Sequence, residues 1–140
     1  MTYHIGIIYA TYNSTITQPM LHIVQETITK KGHLVTRRVE VPGVYDMAVI
    51  LKTMLQKENI DGVVLIGAVI KGRTDHDQIV ATNTARIAMD LSVIYEKPVA
   101  LAIMGPRITL QQAIDSKEAY AQHAAESIIT VLKEKEKITQ

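Results

Sequence analysis

At 140 residues the chain has the size of one compact domain, and 47% hydrophobic with 21% charged residues is ordinary globular composition. With 15 Lys and Arg against 14 Asp and Glu the formal charge is +1, so no global field draws the protein to nucleic acid or an anionic membrane, and any anion must be held locally. The absence of cysteine excludes a disulfide framework, a thiolate zinc site and a nucleophilic thiol; with neither a leader pattern nor a bilayer-length apolar stretch, the expectation is a cytoplasmic protein that is neither secreted nor membrane-inserted.

Residues 5 to 9, Ile-Gly-Ile-Ile-Tyr, are a short apolar run that stops at the polar cluster 11 to 15, as a buried strand entering a loop does. From Ile16 the period becomes helical through Met20, Ile23, Val24 and Ile28, with Gly32 as the stop. Leu34 to Val41 is β-rich and broken by Pro42-Gly43, and Val44, Met47, Ala48, Leu51, Met54 and Leu55 mark a second helix. Gly62 to Ile70 is apolar throughout, the pattern of a central parallel strand covered on both faces. After the polar loop 71 to 77, Val80, Ile87, Ala88, Leu91, Ile94 and Tyr95 trace a third helix, and Pro98 to Met104 a fourth strand. Beyond Gly105-Pro106, Thr109 and Gln112 have capping-box spacing ahead of a long last helix carrying Leu110, Ala113, Ala121, Ala124, Ile128 and Leu132.

Four βα units in succession predict a single α/β domain over residues 1 to 140, flavodoxin-like and three-layered, with a four-stranded parallel sheet and helices on both faces. Ligands of such sheets bind beyond the carboxyl ends of the strands, which singles out the loops at 11 to 15, 42 to 46, 71 to 77 and 104 to 109.

Gly67 to Thr74 has Walker A spacing with Arg73 where Lys belongs, but Ala68 to Ile70 continue the strand and a guanidinium does not replace a compact ammonium. A strand end with a glycine, a Thr hydroxyl and free backbone donors ahead of a helix still makes a small anion site. His76 stands between Asp75 and Asp77, carboxylates able to raise its pKa into the range useful for proton transfer. The five histidines lack paired ligand spacing, so no metal site is expected. Phe and Trp are absent, which leaves Tyr12 and Tyr45 as the aromatic faces in the post-strand loops on which a flat heterocycle can stack. Asp46 either accepts hydrogen bonds from sugar hydroxyls or favours a helix N-terminus.

Taken together, these segments resemble the lumazine synthase family over nearly the whole chain, most closely its archaeal branch. Val41-Pro42-Gly43-Val44-Tyr45-Asp46-Met47 is similar to the family's ribityl-binding turn, and Gly67 to His76 to its loop ending in Thr-x-His. Tyr12-Asn13 matches its Phe-Asn pair, and Lys97-Pro98-Val99 opens the matching fourth strand. The resemblance implies condensation of 5-amino-6-(D-ribitylamino)uracil with 3,4-dihydroxy-2-butanone 4-phosphate, without a cofactor, in a homopentamer or an assembly of pentamers with active sites between subunits. It implies that Tyr12 stacks on the pyrimidine, that Asn13 belongs with it to the substrate-binding residues, that Val44, Tyr45 and Asp46 hold the ribityl chain, and that Ala68, Val69 and Ile70 offer backbone groups to the uracil. His76 would move protons, residues 73 and 74 would contact phosphate, and Leu101 would close the pocket from a neighbouring subunit, where bacterial relatives carry an aromatic.

One departure stands out. The family's arginine shortly after a Gln-Ala pair in the last helix is absent: Gln112-Ala113 is followed by Ile114, Asp115 and Ser116. Arg73 and Arg107 are the candidate replacement cations, Arg73 foremost; the competing reading pairs Arg73 with Asp75 or Asp77. A non-catalytic shell-forming or flavin-binding homologue is the alternative function. The related archaeal riboflavin synthase lacks the Thr-x-His arrangement seen at Thr74 and His76.

Overall fold

The computed structural model describes all residues, Met1–Gln140. Four strands, β1 (His4–Ala10), β2 (Leu34–Val41), β3 (Gly62–Ile70) and β4 (Val99–Ile108), alternate with four helices, α1 (Ser14–Lys30), α2 (Met47–Leu55), α3 (His76–Tyr95) and α4 (Leu110–Thr139). All pairings are parallel and the order is β2-β1-β3-β4, so β1 and β3 are internal. This is the expected flavodoxin-like three-layer arrangement. No helix is long and apolar enough to cross a membrane.

The alternation of β3 explains the layers. Val64 and Ile66 face α1 and α4, joining Ile7, Met20, Val24, Ala124 and Ile128 in one core. Val63 and Leu65 face α2 and α3, joining Met47, Leu51, Leu55, Val80 and Leu91 in the other. Each fully buried aliphatic side chain contributes roughly 1.5–3 kcal/mol, so a strand buried on both faces anchors both helical layers. The helix stripes agree with the sequence pattern except at Ile87, Ile94 and Leu110, which are exposed. Thr109 caps α4 as its spacing predicts: its Oγ1 accepts the Gln112 N–H at 3.1 Å while Gln112 Oε1 accepts the Thr109 N–H at 2.9 Å.

The fourth strand runs past the predicted stop. Met104 pairs with Ala68 and Ile108 with Ile70, so β4 spends four steps where β3 spends two, and Gly105-Pro106-Arg107 bulge outward. Pro106 is tolerated because β4 is an edge strand with no outer partner for the missing N–H. Gly105, at φ 114°, lies so close to β3 that a Cβ there would sit 2.6 Å from the Val69 carbonyl oxygen.

At the amino end of the sheet Tyr3 and His33 stack with ring centroids 4.8 Å apart. The Tyr3 backbone N–H donates to His33 Nδ1 at 3.1 Å, and the Tyr3 hydroxyl donates to Glu136. His33 Nε2 is buried without a partner.

Candidate active site at the carboxyl ends of the strands

The polypeptide brings three post-strand segments together. After β1, Asn13 adopts φ 62° and ψ 44°, a left-handed conformation that asparagine tolerates better than most residues. The Asn13 Nδ2 donates to the Ala68 carbonyl at 3.0 Å, which ties the first loop to β3. After β2, the 3₁₀ turn Val44–Asp46 is closed by Asp46, whose Oδ2 accepts the Gly43 N–H at 3.0 Å. Asp46 is therefore a turn-closing residue whose Oδ1 carries no hydrogen bond. Two glycines let these segments approach. A Cβ on Gly43 would lie 2.9 Å from Tyr12 Cδ2, and one on Gly67 would collide with Val44 Cγ2.

The result is a cleft of about 220 Å³ lined by Ala10, Tyr12, Asn13, Gly43, Val44, Tyr45, Asp46, Ala68, Val69, Ile70, His76 and Val80. Nine of the thirteen residues singled out from the sequence line it together. Tyr12 and Tyr45 are 65% and 70% exposed, leaving their rings open to a ligand. A larger groove of about 890 Å³ between α2 and α3 adjoins the cleft and shares Tyr45 and Asp46.

The remaining four lie outside the cleft lining. Arg73 and Thr74 are exposed in the loop between β3 and α3, where Thr74 Oγ1 accepts the His76 N–H at 3.3 Å. Arg73 forms no ion pair with Asp75 or Asp77; all four ion pairs of the chain lie elsewhere. Neither carboxylate pairs with the His76 imidazole either: Asp75 Oδ1 faces the Gln78 side-chain amide at 3.5 Å, and Asp77 turns inward, its Oδ2 accepting the Arg107 N–H at 2.8 Å. Arg107 sits in the β4 bulge at φ 64°. Leu101 is mid-strand on the sheet edge, opposite Leu65 in register and 38% exposed.

Sequence reasoning named Gly43 and Asp77 but missed what they do: Gly43 makes room for the Tyr12 ring, and Asp77 holds the Arg107 backbone instead of facing His76. Asp77 carried a readable signal, since Asp77, Val80, Ala81, Thr84, Ala88 and Leu91 recur at helical spacing on one buried stripe.

A doubly wound parallel sheet whose carboxyl end gathers two aromatic faces, a turn-closing carboxylate and a histidine on one cleft defines an α/β protein with its candidate site where such sheets bind ligands. Comparison with known sequences is more specific. A profile described as 6,7-dimethyl-8-ribityllumazine synthase matches residues 2–136, and the chain belongs to that family. It is similar to the 6,7-dimethyl-8-ribityllumazine synthase of Sulfolobus acidocaldarius, at 47% identity over 98% of this chain and 87% of the relative. It is also similar to the enzymes of that name from Methanobrevibacter smithii, at 46% identity over 91% of each chain, and Methanococcus vannielii, at 43% over 93% of this chain and 92% of the relative.

Proposed function

We propose that the chain is a cytoplasmic transferase that condenses 5-amino-6-(D-ribitylamino)uracil with 3,4-dihydroxy-2-butanone 4-phosphate, releasing 6,7-dimethyl-8-ribityllumazine and phosphate. The observation that carries this reading is the convergence of Tyr12, Asn13, the 44–46 turn, residues 68–70 and His76 on one cleft in a chain of this family. The uracil amine adds to the ketone and loses water to form a Schiff base, phosphate is eliminated, and the ribitylamino nitrogen closes the ring with loss of a second water. Amine addition to a ketone is not intrinsically slow, so holding two substrates in register supplies most of the acceleration. His76 shuttles protons, worth about 100- to 10,000-fold.

Tyr12 stacks on the pyrimidine, Asn13 supports the cleft floor, and Val44, Tyr45 and Asp46 hold the ribityl chain, with Asp46 Oδ1 free to accept from a hydroxyl. Val69 and Ile70 offer backbone groups to the uracil, as does Ala68, although its carbonyl already accepts from Asn13. Arg73 is the main phosphate cation, assisted by Thr74 and Arg107.

The working form is a homopentamer or an assembly of pentamers. The cleft stands open, with Tyr12 and Tyr45 more than half exposed, which supports completion by a neighbour's Leu101. Exposed Ile79, Met89, Val93 and Ile94 on α3 give the neighbour an apolar face. Light scattering at micromolar concentration tests the assembly, and a monomer refutes it.

The activity test mixes both substrates with the protein and follows lumazine absorbance together with released phosphate. Equal accumulation of both products is expected. A second reading, a shell-forming or flavin-binding homologue without turnover, is favoured by Ser116 in place of the family's helix arginine; retained ligand without phosphate release would select it.

A further inference from the structure

One buried charged group has no part in the chemistry above. Asp77 follows His76 in the first turn of α3 and is 3% exposed. The helix dipole favours an acidic residue there, but that preference accounts for the charge near the terminus and not for its burial. The carboxylate turns inward, Oδ2 accepting the Arg107 N–H while Oδ1 is buried with no hydrogen-bond partner. Burying a carboxylate oxygen without a donor is unfavourable, so the group is not there for stability alone.

What Asp77 holds is unusual in its own right. Arg107 has φ 64°, the left-handed region that L residues with side chains avoid. The amide of Lys71, at the start of the Arg73–Thr74 loop, donates to the Ile108 carbonyl at 2.9 Å. The bulge that carries Arg107 is therefore fixed on one side to the loop that carries Arg73 and Thr74 and on the other to the helix turn that carries His76. Without the carboxylate, residue 107 is free to relax to a right-handed or extended conformation, and its side chain then leaves the backbone in another direction.

We infer that Asp77 is a positioning residue for anion binding: by accepting the Arg107 N–H it holds Arg107 in the left-handed conformation that directs its guanidinium toward the phosphate bound at Arg73 and Thr74. The inference rests on the proposed reading in placing a phosphate-bearing substrate at this loop. Asp77 touches no substrate and acts through Arg107.

The test compares wild type, Asp77→Ala, Asp77→Asn, Arg107→Ala and the Asp77→Ala/Arg107→Ala double variant. Inorganic phosphate binding is measured by calorimetry, and steady-state constants for both substrates are measured separately. Loss of a charge-assisted hydrogen bond predicts that Asp77→Ala weakens phosphate binding and raises KM for the sugar phosphate by about tenfold. The KM for the uracil should change far less. Asp77→Asn keeps an oxygen that accepts the Arg107 N–H and should recover most of the loss, and Asp77→Ala should cost nothing further once Arg107 is Ala. Unaltered phosphate affinity in folded Asp77→Ala, additive losses in the double variant, or no dependence of phosphate binding on Arg107 would overturn the inference. If Asp77→Ala does not fold, Asp77→Asn decides: a loss as large as that of Arg107→Ala overturns it. Arg107-dependent phosphate binding that responds to Asp77 in a protein that makes no lumazine leaves the inference standing and removes the proposed function.

Discussion

The side-chain amide of Asn13 donates to the carbonyl of Ala68 at 3.0 Å, so one residue both turns the chain into α1 and fastens the first loop to the end of β3. The two roles separate by substitution. Asn13→Gly keeps the left-handed backbone and loses the hydrogen bond, at about 1 kcal/mol. Asn13→Ala loses both, at about 2–3 kcal/mol in total. Urea denaturation should place Ala below Gly in stability; equal losses would show that backbone conformation at residue 13 is irrelevant.

Tyr12 lies against the space left by the absent Gly43 side chain, and its hydroxyl makes no hydrogen bond within the chain. If its ring stacks on the pyrimidine, Tyr12→Ala should weaken uracil binding by about 0.5–1.5 kcal/mol beyond the lost contact area, while Tyr12→Phe should be nearly silent. Titration with the ribitylaminouracil alone measures both. Comparable losses from the two variants would make the hydroxyl the contact.

Arg73 forms no ion pair, and Ser116 stands where the resemblance to lumazine synthases implies a helix arginine. A guanidinium binds phosphate through paired hydrogen bonds, so Arg73→Ala should raise KM for the sugar phosphate selectively, by about tenfold or more. Adding Ser116→Arg to that variant should restore part of the loss. A selective defect in Arg107→Ala with Arg73→Ala silent would transfer the main role to the bulge.

The amino end of the sheet predicts limits on stability at both extremes of pH. Burial, chiefly, holds His33 below its ordinary pKa of 6.5, with Lys133, the N-terminus and Lys31 acting in the same direction. The unfolded chain therefore binds the proton more readily, and the stability from neutral His33 is complete above about pH 6.5 and lost as pH falls below it. For Tyr3, the hydrogen bond to Glu136 and burial push the phenol from 10.0 up to about 12. Its contribution is complete below pH 10 and lost as pH rises from 10 toward 12. Denaturation midpoints should fall on both sides of neutrality, and His33→Gln should flatten the acid limb. An unchanged acid limb in that variant would place the sensitivity elsewhere.

The order of elements was legible because burial on two faces forces a continuous apolar run, as in β3, and burial on one face forces helical spacing, as along α1. The course of β4 was not: Gly105-Pro106 reads as a stop, and only the sheet order, which leaves β4 without an outer neighbour, shows why the strand continues. Exposure of Ile94 and Leu110 was likewise invisible, since apolar type does not say which surface covers a side chain. At the candidate site, chain order placed the post-strand loops together at one end of the sheet, but inward-turned Asp77 was hidden by its charge, which suggests solvent unless its helical register is counted.

β1 begins beside the Tyr3–His33 stack and ends at the Tyr12 loop, so seven residues at ~3.3 Å each set the two clusters roughly 20 Å apart on opposite rims of one sheet. Changes that far apart combine almost independently. The pH limits set by His33, Tyr3 and Glu136 at the amino rim can therefore be retuned by substitution without altering the rim that carries the proposed site.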